Sequence, residues 1–277
     1  MNLGDFEIHS ISDGHFRLDG GAMFGVVPRT LWEKTNPPDE KNRILLGINP
    51  LLIRTPDLDM IVDTGIGQRW DEKSRAIYGI DRDPTLGESL GRLGMTEGDI
   101  DVVINTHLHF DHAGGNTVAE GGSMAPAFKS ARYIAQRGEW EDALNPNERT
   151  RASYRPGDFV PVMEAGQLDL IDGDKEITPG VKVLRTGGHD RNMQVVLVES
   201  RGETALYPGD IIPTVTHLSY PYIMGYDLFP AETLRIKKEL IAKAAAERWL
   251  VVFEHDPESR MGYVALKDGK PVFEKVL

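Results

Sequence analysis

The stretch "DIDVVINTHLHFDHAGGN", residues 99 to 116, constrains the fold of this chain most strongly. Its first half is a short apolar run that predicts a buried strand, and the run ends directly before three histidines. His107 and His109 are two residues apart, so at a strand end both side chains can point to the same side. Asp111 and His112 are adjacent and must therefore lie on a turn. The sequence predicts a buried strand that ends in a polar cluster.

The residue types in this cluster indicate a metal centre. Neutral imidazoles grouped with a carboxylate are the ligands that a borderline-soft divalent ion prefers. The "AGG" at 113 to 115 supplies small residues, which let a backbone bend tightly or another group approach closely. The chain has no cysteine, which excludes disulfides, thiolate nucleophiles and sulfur-ligated metals. Any metal here must be held by nitrogen and oxygen.

Composition narrows the class of protein. The chain is 40% hydrophobic and 27% charged over 277 residues, as in a soluble globular protein with a substantial core, and we expect one domain spanning 1–277. Its net charge of −12 is spread without a basic block, which disfavours a nucleic-acid partner. No stretch approaches the ~20 apolar residues that cross a bilayer, so we expect no membrane partner. The start "MNLGDFEIHS" lacks the features of a signal peptide, and by default we expect a cytoplasmic location.

Short apolar runs rich in β-branched residues predict strands at both ends of the chain. They are "FEIHSI", "LLGINPLLIRT", "DMIVDTG", "VKVLRT", "MQVVLVES", "TALYPGD" and "WLVVFEH". Helical patterns cover about 85 to 93, 113 to 120 and 136 to 144. The Gly- and Pro-punctuated residues 19 to 43 lack clean periodicity and predict a long loop with apolar side chains.

The clearest helix begins after Pro230. It places an apolar stripe on one side and basic residues largely outside: the stripe is Ile236, Leu240, Ile241 and Ala244, and the basic residues are Lys237, Lys238, Lys243 and Arg248. A closing hairpin over 261–277 turns at Asp268 and Gly269. Strands at both ends with helices between and after them predict an α/β fold, in which two packed sheets carry helices outside.

Three further residues stand just beyond apolar runs: His189 in "LRTGGHDRN", Asp210 in "ALYPGDII" and His255 in "VVFEHDP". Each alone is weak evidence, because a lone histidine at a strand end is more often structural. Together with the first cluster they give five histidines and two aspartates. That set suffices for two metal ions that share one carboxylate, the arrangement in which paired ions activate water.

These motifs resemble the metallo-β-lactamase superfamily. "GMTEGDIDVVINTHLHFDHAGGN" looks like its signature, and "LLIRTPDLDMIVDTG", "TGGH", "PGD" and "FEHD" resemble its other motifs in the expected order over about 5 to 256. The resemblance implies a four-layer αβ/βα sandwich, two packed mixed sheets flanked by helices, with the metals at one edge between the sheets. It points to the branch of lactonases and glyoxalase II-like thioesterases.

The resemblance also implies a ligand set. His107, His109 and His189 would hold the first metal. Asp111, His112 and His255 would hold the second, and Asp210 would bridge both. Asp63 in "IVDTG" matches an aspartate that usually hydrogen-bonds a ligand; its role as a plain turn residue is an equal alternative.

The third motif departs from the usual pattern. Lactonases and thioesterases of this branch generally carry GHTxGH, whereas this chain has "GHDRNMQ", with Met193 in place of the second histidine. That histidine is not a usual ligand, so the metal assignment survives. Arg191 stands where Pro is usual, and it either touches substrate or forms a surface salt bridge, the commoner fate.

Two segments with large apolar side chains are candidates for the substrate walls. One contains Met23, Phe24 and Trp32; the other is "HLSYPYIMGYDLF", directly after Asp210. The large side chains of both segments have two alternative roles. They face the metal cleft and favour an apolar substrate, or they pack the loops against the sheets. Related lactonases have a tyrosine where this chain has Pro213, and Tyr220 or Tyr222 is the alternative. His217 is more often structural in such a place, and His9 and His15 show no ligand spacing.

These features predict a binuclear metal-dependent hydrolase. A metal-bridging hydroxide would attack a small ester, lactone or thioester. Asp111 would orient the nucleophile and pass a proton to the leaving group, and Asp210 would hold the metals together. The alternatives are a phosphotriester or phosphodiester hydrolase and a non-catalytic metal-binding sensor. Zinc is the first choice of metal, with iron, cobalt or manganese as alternatives; a small-molecule substrate is expected, and a homodimer stays open.

Overall fold

The computed structural model describes residues 1–276 of the chain. Leu277, which belongs to the expected domain 1–277 and to the expected closing hairpin, lies outside the described residues. Two seven-stranded sheets and two small two-stranded sheets form within the described part of the chain.

The strands of residues 1–276 follow one another in short segments joined by tight turns and helices. They are β1 (Asn2–Leu3), β2 (Phe6–Ser10), β3 (His15–Asp19), β4 (Arg43–Gly47), β5 (Leu51–Arg54), β6 (Asp59–Val62), β7 (Val102–Ile104), β8 (Thr117–Glu120), β9 (Ser123–Pro126), β10 (Arg132–Gln136), β11 (Leu168–Ile171), β12 (Lys175–Thr178), β13 (Val181–Arg185), β14 (Gln194–Ser200), β15 (Glu203–Tyr207), β16 (Leu250–Val252), β17 (Met261–Lys267) and β18 (Lys270–Lys275).

Most helices are short, and the one exception is the last. They are α1 (Gly20–Phe24), α2 (Arg29–Trp32), α3 (Glu72–Tyr78), α4 (Leu86–Gly91), α5 (Phe110–Ala113), α6 (Arg137–Leu144), α7 (Val160–Glu164) and α8 (Pro230–Ala246). Single 3₁₀ turns lie at Glu97–Asp99, Gly114–Asn116, Pro156–Asp158, Gly209–Ile211 and Val215–Leu218. Among the helices of residues 1–276, none has both the length and the apolar content of a membrane span.

Both large sheets are mixed. The first has the order β1-β2-β5-β6-β7-β10-β11, and its centre is parallel: β7 lies between β6 and β10 with Val102 opposite Met60 and Arg132. The second has the order β12 to β18 and is antiparallel except where β15 meets β16. The parallel centre explains why β7 is apolar throughout, because both faces of such a strand are covered.

The two sheets face each other and share one core. Apolar side chains of both inner faces form this cluster, including Ile8, Val62, Val196 and Val252. The outer face of the first sheet packs on α4 and α7, and the outer face of the second packs on α8. The layers therefore run helix, sheet, sheet, helix, which confirms the predicted four-layer αβ/βα sandwich.

Several predicted elements are confirmed. The helix near 85 to 93 is α4, which begins after Thr85 in a capping box with Glu88. The helix after Pro230 is α8, and the helix at 136 to 144 is α6. The closing hairpin turns at Asp268 and Gly269, whose φ angles of 52° and 72° are those of a type I′ turn.

Two predictions of elements and one prediction of side-chain exposure are wrong. No helix covers 113 to 120, because α5 ends at Ala113 and the β-branched Thr117 and Val118 enter β8, which pairs with β9. The loop predicted over 19 to 43 contains α1 and α2, and the Asp19 carboxylate caps α1 by accepting from the Ala22 amide at 2.8 Å. Lys237, expected on the outside of α8, is fully buried.

Candidate metal centre

The seven side chains with metal-ligand chemistry all follow strand ends. His107 and His109 come after β7, and Asp111 and His112 lie in the short α5. His189, Asp210 and His255 come after β13, β15 and β16 of the second sheet. The structure thus brings together, at one edge between the sheets, all seven residues that the sequence nominated.

Asp210 lies at the middle of the cluster. Its Oδ2 is 3.3 Å from His189 Nε2. Its Oδ1 is 3.5 Å from His112 Nε2 and 3.3 Å from His255 Nε2. One carboxylate therefore faces imidazoles on both sides, the position that a carboxylate shared between two ions requires.

Two further close approaches define the halves of the cluster. His189 Nε2 lies 3.1 Å from His109 Nδ1 on one side, and His255 Nε2 lies 3.1 Å from His112 Nε2 on the other. Asp111 Oδ2 is 3.7 Å from His255 Nε2. Ligand atoms within 4.8 Å of one another form three groups: His107, His109 and His189; His107, His112 and Asp210; Asp111, His112 and His255.

The donor set fits cations. His107 Nε2 and Asp210 Oδ1 are buried, and within residues 1–276 neither has a hydrogen-bond partner. Buried polar atoms normally have partners, so an orphan nitrogen and an orphan carboxylate oxygen in one cluster point to a bound group. Imidazole nitrogen and carboxylate oxygen suit zinc and other divalent transition metals.

Among the described residues, the far side of four of the five imidazoles is fixed by a partner. His189 Nδ1 lies 2.9 Å from Asp227 Oδ1, and His255 Nδ1 lies 2.9 Å from the Gly47 carbonyl oxygen. His107 Nδ1 lies 3.0 Å from the Thr106 hydroxyl. Such contacts set the tautomer and ring orientation, so that the remaining nitrogen presents its lone pair to the centre.

Asp63 has the same role for His112. Its Oδ2 lies 2.9 Å from His112 Nδ1, and its two oxygens accept from the Thr106 amide at 2.8 Å and the Thr106 hydroxyl at 2.7 Å. Asp63 adopts a left-handed φ of 56°, uncommon outside glycine. It therefore contacts a histidine of the cluster and joins the ends of β6 and β7.

The "AGG" segment allows close packing beneath the centre. A Cβ at Gly114 would overlap the Ile66 carbonyl oxygen, and one at Gly115 would overlap the Thr64 carbonyl oxygen. The histidine-bearing loop therefore lies directly against the loop after β6.

Electrostatics separate the imidazoles into two kinds. Burial lowers the pKa of His107 well below its ordinary value, and the neighbouring His112 and His109 add to that shift. Burial also opposes protonation of His189, but the Asp210 and Asp227 carboxylates outweigh it and raise its pKa to about 9. A metal ion at this centre competes with such protons, because a ligating imidazole must be neutral.

A buried carboxyl pair supports the histidine loop from behind. Glu139 Oε1 accepts from the Leu108 amide at 2.9 Å and from the Tyr154 hydroxyl at 3.1 Å. Burial and the nearby Asp190 carboxylate raise the pKa of Glu139 well above its ordinary range. Sequence reasoning missed Glu139, since nothing in the pattern of α6 distinguishes it.

A cavity of about 380 Å³ opens onto the centre. At its inner end are His109, Asp111, His189, Asp210 and His255. Its walls are largely apolar: Leu18, Ala22, Met23, Leu46, Phe110, Met224 and Leu228. Polar side chains also line it: Tyr78, Arg149, Thr150, Ser153 and Tyr226.

Of the three side chains proposed from the first wall segment, Met23 lines this cavity, beside its neighbour Ala22. Phe24 and Trp32 are buried and stack on each other with ring centroids 5.2 Å apart. Phe24 also stacks on His217 at 4.9 Å. The two aromatic rings therefore pack α1 and α2 onto the sandwich and do not face the cavity.

The other nominated contacts also lie outside the cavity lining. Tyr222 packs its ring edge against Phe24 at 5.7 Å, and Tyr220 is half-buried below the Lys238 ammonium at 5.5 Å. Arg191 is exposed and lies over the Phe229 ring at 5.1 Å. From the segment after Asp210, the residues at the cavity are instead Met224, Gly225, Tyr226 and Leu228.

His217 is structural, as the sequence favoured. Its Nε2 donates to the Met23 carbonyl oxygen at 2.8 Å, and its Nδ1 accepts from the Thr214 hydroxyl at 2.7 Å. His9 lies in β2 and His15 in β3, and neither belongs to the groups that could hold a metal.

Comparison with known proteins adds two relatives of high coverage. A probable metal-dependent hydrolase from Staphylococcus aureus is 33% identical, with a TM-score of 0.91 and 100% of both chains covered. An N-acyl homoserine lactonase from Bacillus cereus is 28% identical over 225 residues, which are 76% of this chain and 82% of that protein. A dizinc quorum-quenching lactonase in complex with a product is 20% identical at a TM-score of 0.80, covering 100% of this chain and 96% of that one, and shares the fold.

The sandwich and the centre at its edge define a metal-dependent hydrolase. The model of the metallo-beta-lactamase superfamily matches residues 43–255, more than half of the sequence, and the chain belongs to that superfamily. The resemblance inferred from the motifs is thereby confirmed.

Proposed function

We propose that this chain hydrolyses a lactone, or a related small ester or thioester, with two divalent metal ions bound at the seven-residue centre. The observation that carries the proposal is the pair of buried, unpartnered ligand atoms, His107 Nε2 and Asp210 Oδ1, among residues 1–276. Zinc is our first choice, because the donors are imidazole and carboxylate and no thiolate is available; iron, cobalt and manganese accept the same donors.

Two groups of side chains would hold the ions. His107, His109 and His189 would hold one ion, and Asp111, His112 and His255 would hold the other. Asp210 would be a ligand in both groups, which its contacts with His189 on one side and with His112 and His255 on the other support. Asp63 and Asp227 orient His112 and His189.

When bound, the ions supply Lewis-acid activation of water and of the scissile carbonyl. Orientation of the water and transfer of its proton depend on side chains of the protein. Asp111 lines the cavity beside His255, and we assign to its carboxylate the orientation of the attacking water and the transfer of its proton to the leaving group. Asp111, Asp210 and His255 are buried, which limits their contact with bulk water and strengthens these electrostatic interactions.

The cavity and the relatives support the substrate class. Its walls are mostly apolar and its volume of about 380 Å³ suits a small molecule with an acyl chain. The Bacillus cereus relative is an N-acyl homoserine lactonase. A lactone with an apolar substituent is therefore the first substrate to test.

The proposal is tested by removing and restoring metal. The protein is treated with a chelator, reloaded with zinc, iron, cobalt or manganese, and analysed for metal per chain. Each form is assayed on lactones, aryl esters, thioesters and phosphotriesters. We expect two ions per chain and metal-dependent turnover that favours lactones. A stoichiometry of one, or a preference for phosphotriesters, would contradict the corresponding part of the proposal.

Other expectations remain predictions. They are a single domain over 1–277, a small-molecule substrate without nucleic-acid or membrane partners, and a cytoplasmic location; a homodimer stays open. Size-exclusion chromatography with light scattering tests the homodimer directly.

A further inference from the structure

The cavity is lined mainly by apolar side chains, and its polar side chains include both buried residues of the metal centre and exposed residues. At its inner end are the ligands of the metal centre, all nearly buried except for the partly buried His109. At its open side are two exposed side chains, Arg149 and Tyr226. Arg149 is the one lysine or arginine that lines this cavity in the described part of the chain.

Hydrogen bonds hold the guanidinium of Arg149 in place, but they occupy only part of its donors among the described residues. Its Nη2 donates to the carbonyl oxygens of Gly225 at 2.6 Å and Asp227 at 3.3 Å. Its backbone is fixed as well, because Asn147 Oδ1 accepts from the Arg149 amide at 2.9 Å. The Nε and Nη1 donors make no hydrogen bond with residues 1–276, so the guanidinium can still donate hydrogen bonds to a ligand.

The charges around Arg149 favour an anion. It makes no ion pair within the described residues, and the acidic side chains lining the cavity, Asp111 and Asp210, both face the histidine cluster. The net charge of the chain is −12, which repels anions. An anionic group therefore binds only where a local cation outweighs this repulsion. A planar guanidinium recognises carboxylates with strong, directional hydrogen bonds.

We propose that Arg149 is a specificity residue that binds a carboxylate on the acyl part of the substrate, separated from the scissile carbonyl by an apolar chain. This inference rests on the proposed function, since it names the substrate class of the same site. The preferred substrate is therefore an ester or lactone that carries an anionic group at its far end.

The rival role of Arg149 is that of a tether. Its contacts with Gly225 and Asp227 hold the segment that orients His189, so its removal could weaken the metal centre for every substrate. A tether affects neutral and anionic substrates alike. A specificity residue changes the KM of the anionic substrate alone.

The kinetic test uses two esters of equal chain length, p-nitrophenyl hexanoate and mono-p-nitrophenyl adipate, with the metal-loaded enzyme. We expect wild type to prefer the adipate by about tenfold in kcat/KM, the size of one hydrogen bond to a charged group. Arg149→Met should abolish the preference by raising the KM for the adipate, whereas loss of its contacts with Gly225 and Asp227 would lower the activity on both esters by the same factor. Arg149→Lys should keep part of it.

Arg151→Met is the matched control, because Arg151 is exposed on the same segment and does not line the cavity. It should leave the preference unchanged. Equal activity of wild type on both esters, or an equal loss on both in Arg149→Met, would overturn the inference while the proposed function stands.

A binding measurement distinguishes failure of the inference about Arg149 from failure of the proposed function. Calorimetry compares hexanamide with adipamate, the monoamide of adipic acid, on the metal-loaded protein. If neither ester is hydrolysed and lactones and thioesters also show no metal-dependent turnover, the proposed function is wrong, and the amides then decide the role of Arg149. About tenfold tighter binding of adipamate that Arg149→Met removes supports the carboxylate site. Binding of adipamate that is equal in wild type and Arg149→Met overturns it.

Discussion

Asp227 Oδ1 lies 2.9 Å from His189 Nδ1, so a carboxylate 38 residues further along the chain orients one imidazole of the metal centre. Asp227 is buried, and it also raises the pKa of His189. We expect Asp227→Asn to lower metal affinity by about 10- to 100-fold, because the ligand becomes less basic and less well oriented. Competition with a chelator of known affinity measures this change.

The control for this variant is Asp169→Asn. Asp169 is exposed on β11, and its one ion pair with residues 1–276 is to Arg132 at the surface, at 3.4 Å. It should leave metal affinity as in wild type. Unchanged affinity in Asp227→Asn would mean that the contact with His189 does not act on the metal.

The central ligands give a second prediction. His107→Ala and Asp210→Ala should each lower metal content and activity by orders of magnitude, because each removes a ligand atom that is buried and unpartnered among residues 1–276. Elemental analysis and lactone turnover measure the two effects. His9→Ala, in β2 and outside the cluster, is the control. Full metal occupancy with unchanged activity in either ligand variant would refute the ligand assignment.

The ligand-type residues could be found from the sequence because each follows an apolar run. A buried strand is recognised by its composition, and a polar residue just past its end must lie at a sheet edge. His189, Asp210 and His255 were nominated in this way, and the structure brings them to the first cluster. The αβ/βα sandwich followed from the same strand pattern together with the family resemblance.

The cavity walls could not be found in this way. They come from irregular segments, where no periodicity tells which side chain faces inward. Tyr222 and Tyr226 stand four residues apart in one stretch, yet Tyr222 packs on Phe24 while Tyr226 lines the cavity. Arg149 and Asp227 carry no sequence signal, since their contacts join segments far apart in the chain.

The buried amino group of Lys237 stabilises the segment after Asp210. Its Nζ donates to the carbonyl oxygens of His217 at 3.0 Å, Ser219 at 3.1 Å and Tyr222 at 2.6 Å, and burial lowers its pKa to about 7. Lys237→Met would leave three carbonyl groups without this donor. We expect the free energy of unfolding to fall by about 2 to 3 kcal/mol, because each of the three lost hydrogen bonds contributes about 1 kcal/mol.

Chemical denaturation measures this loss. Lys243→Met is the matched control, because Lys243 lies exposed on the same helix and the change of residue is identical. It should alter stability by less than about 0.5 kcal/mol. A Lys237→Met protein as stable as this control would show that the three contacts contribute nothing to stability.

The buried His217 makes stability depend on pH. Burial lowers its pKa to about 3, from an ordinary value of 6.5, although the Met23 carbonyl that accepts from Nε2 opposes the shift. Between these values the unfolded chain binds a proton that the folded chain does not. The free energy of unfolding therefore falls as the pH falls below about 6, by up to about 1.4 kcal/mol per pH unit from this group. Above pH 6.5 the contribution is constant.

His217→Gln removes this proton and should flatten the dependence. Urea denaturation of both proteins from pH 7.5 down to about 5 gives the two slopes, and every other titrating group contributes equally to both. The variant should also be less stable at pH 7.5, because the imidazole stacks on Phe24 and bonds Thr214. Its curve should then approach that of wild type as the pH falls. Parallel curves would mean that His217 takes up a proton in the folded protein as readily as in the unfolded chain, and would contradict this prediction.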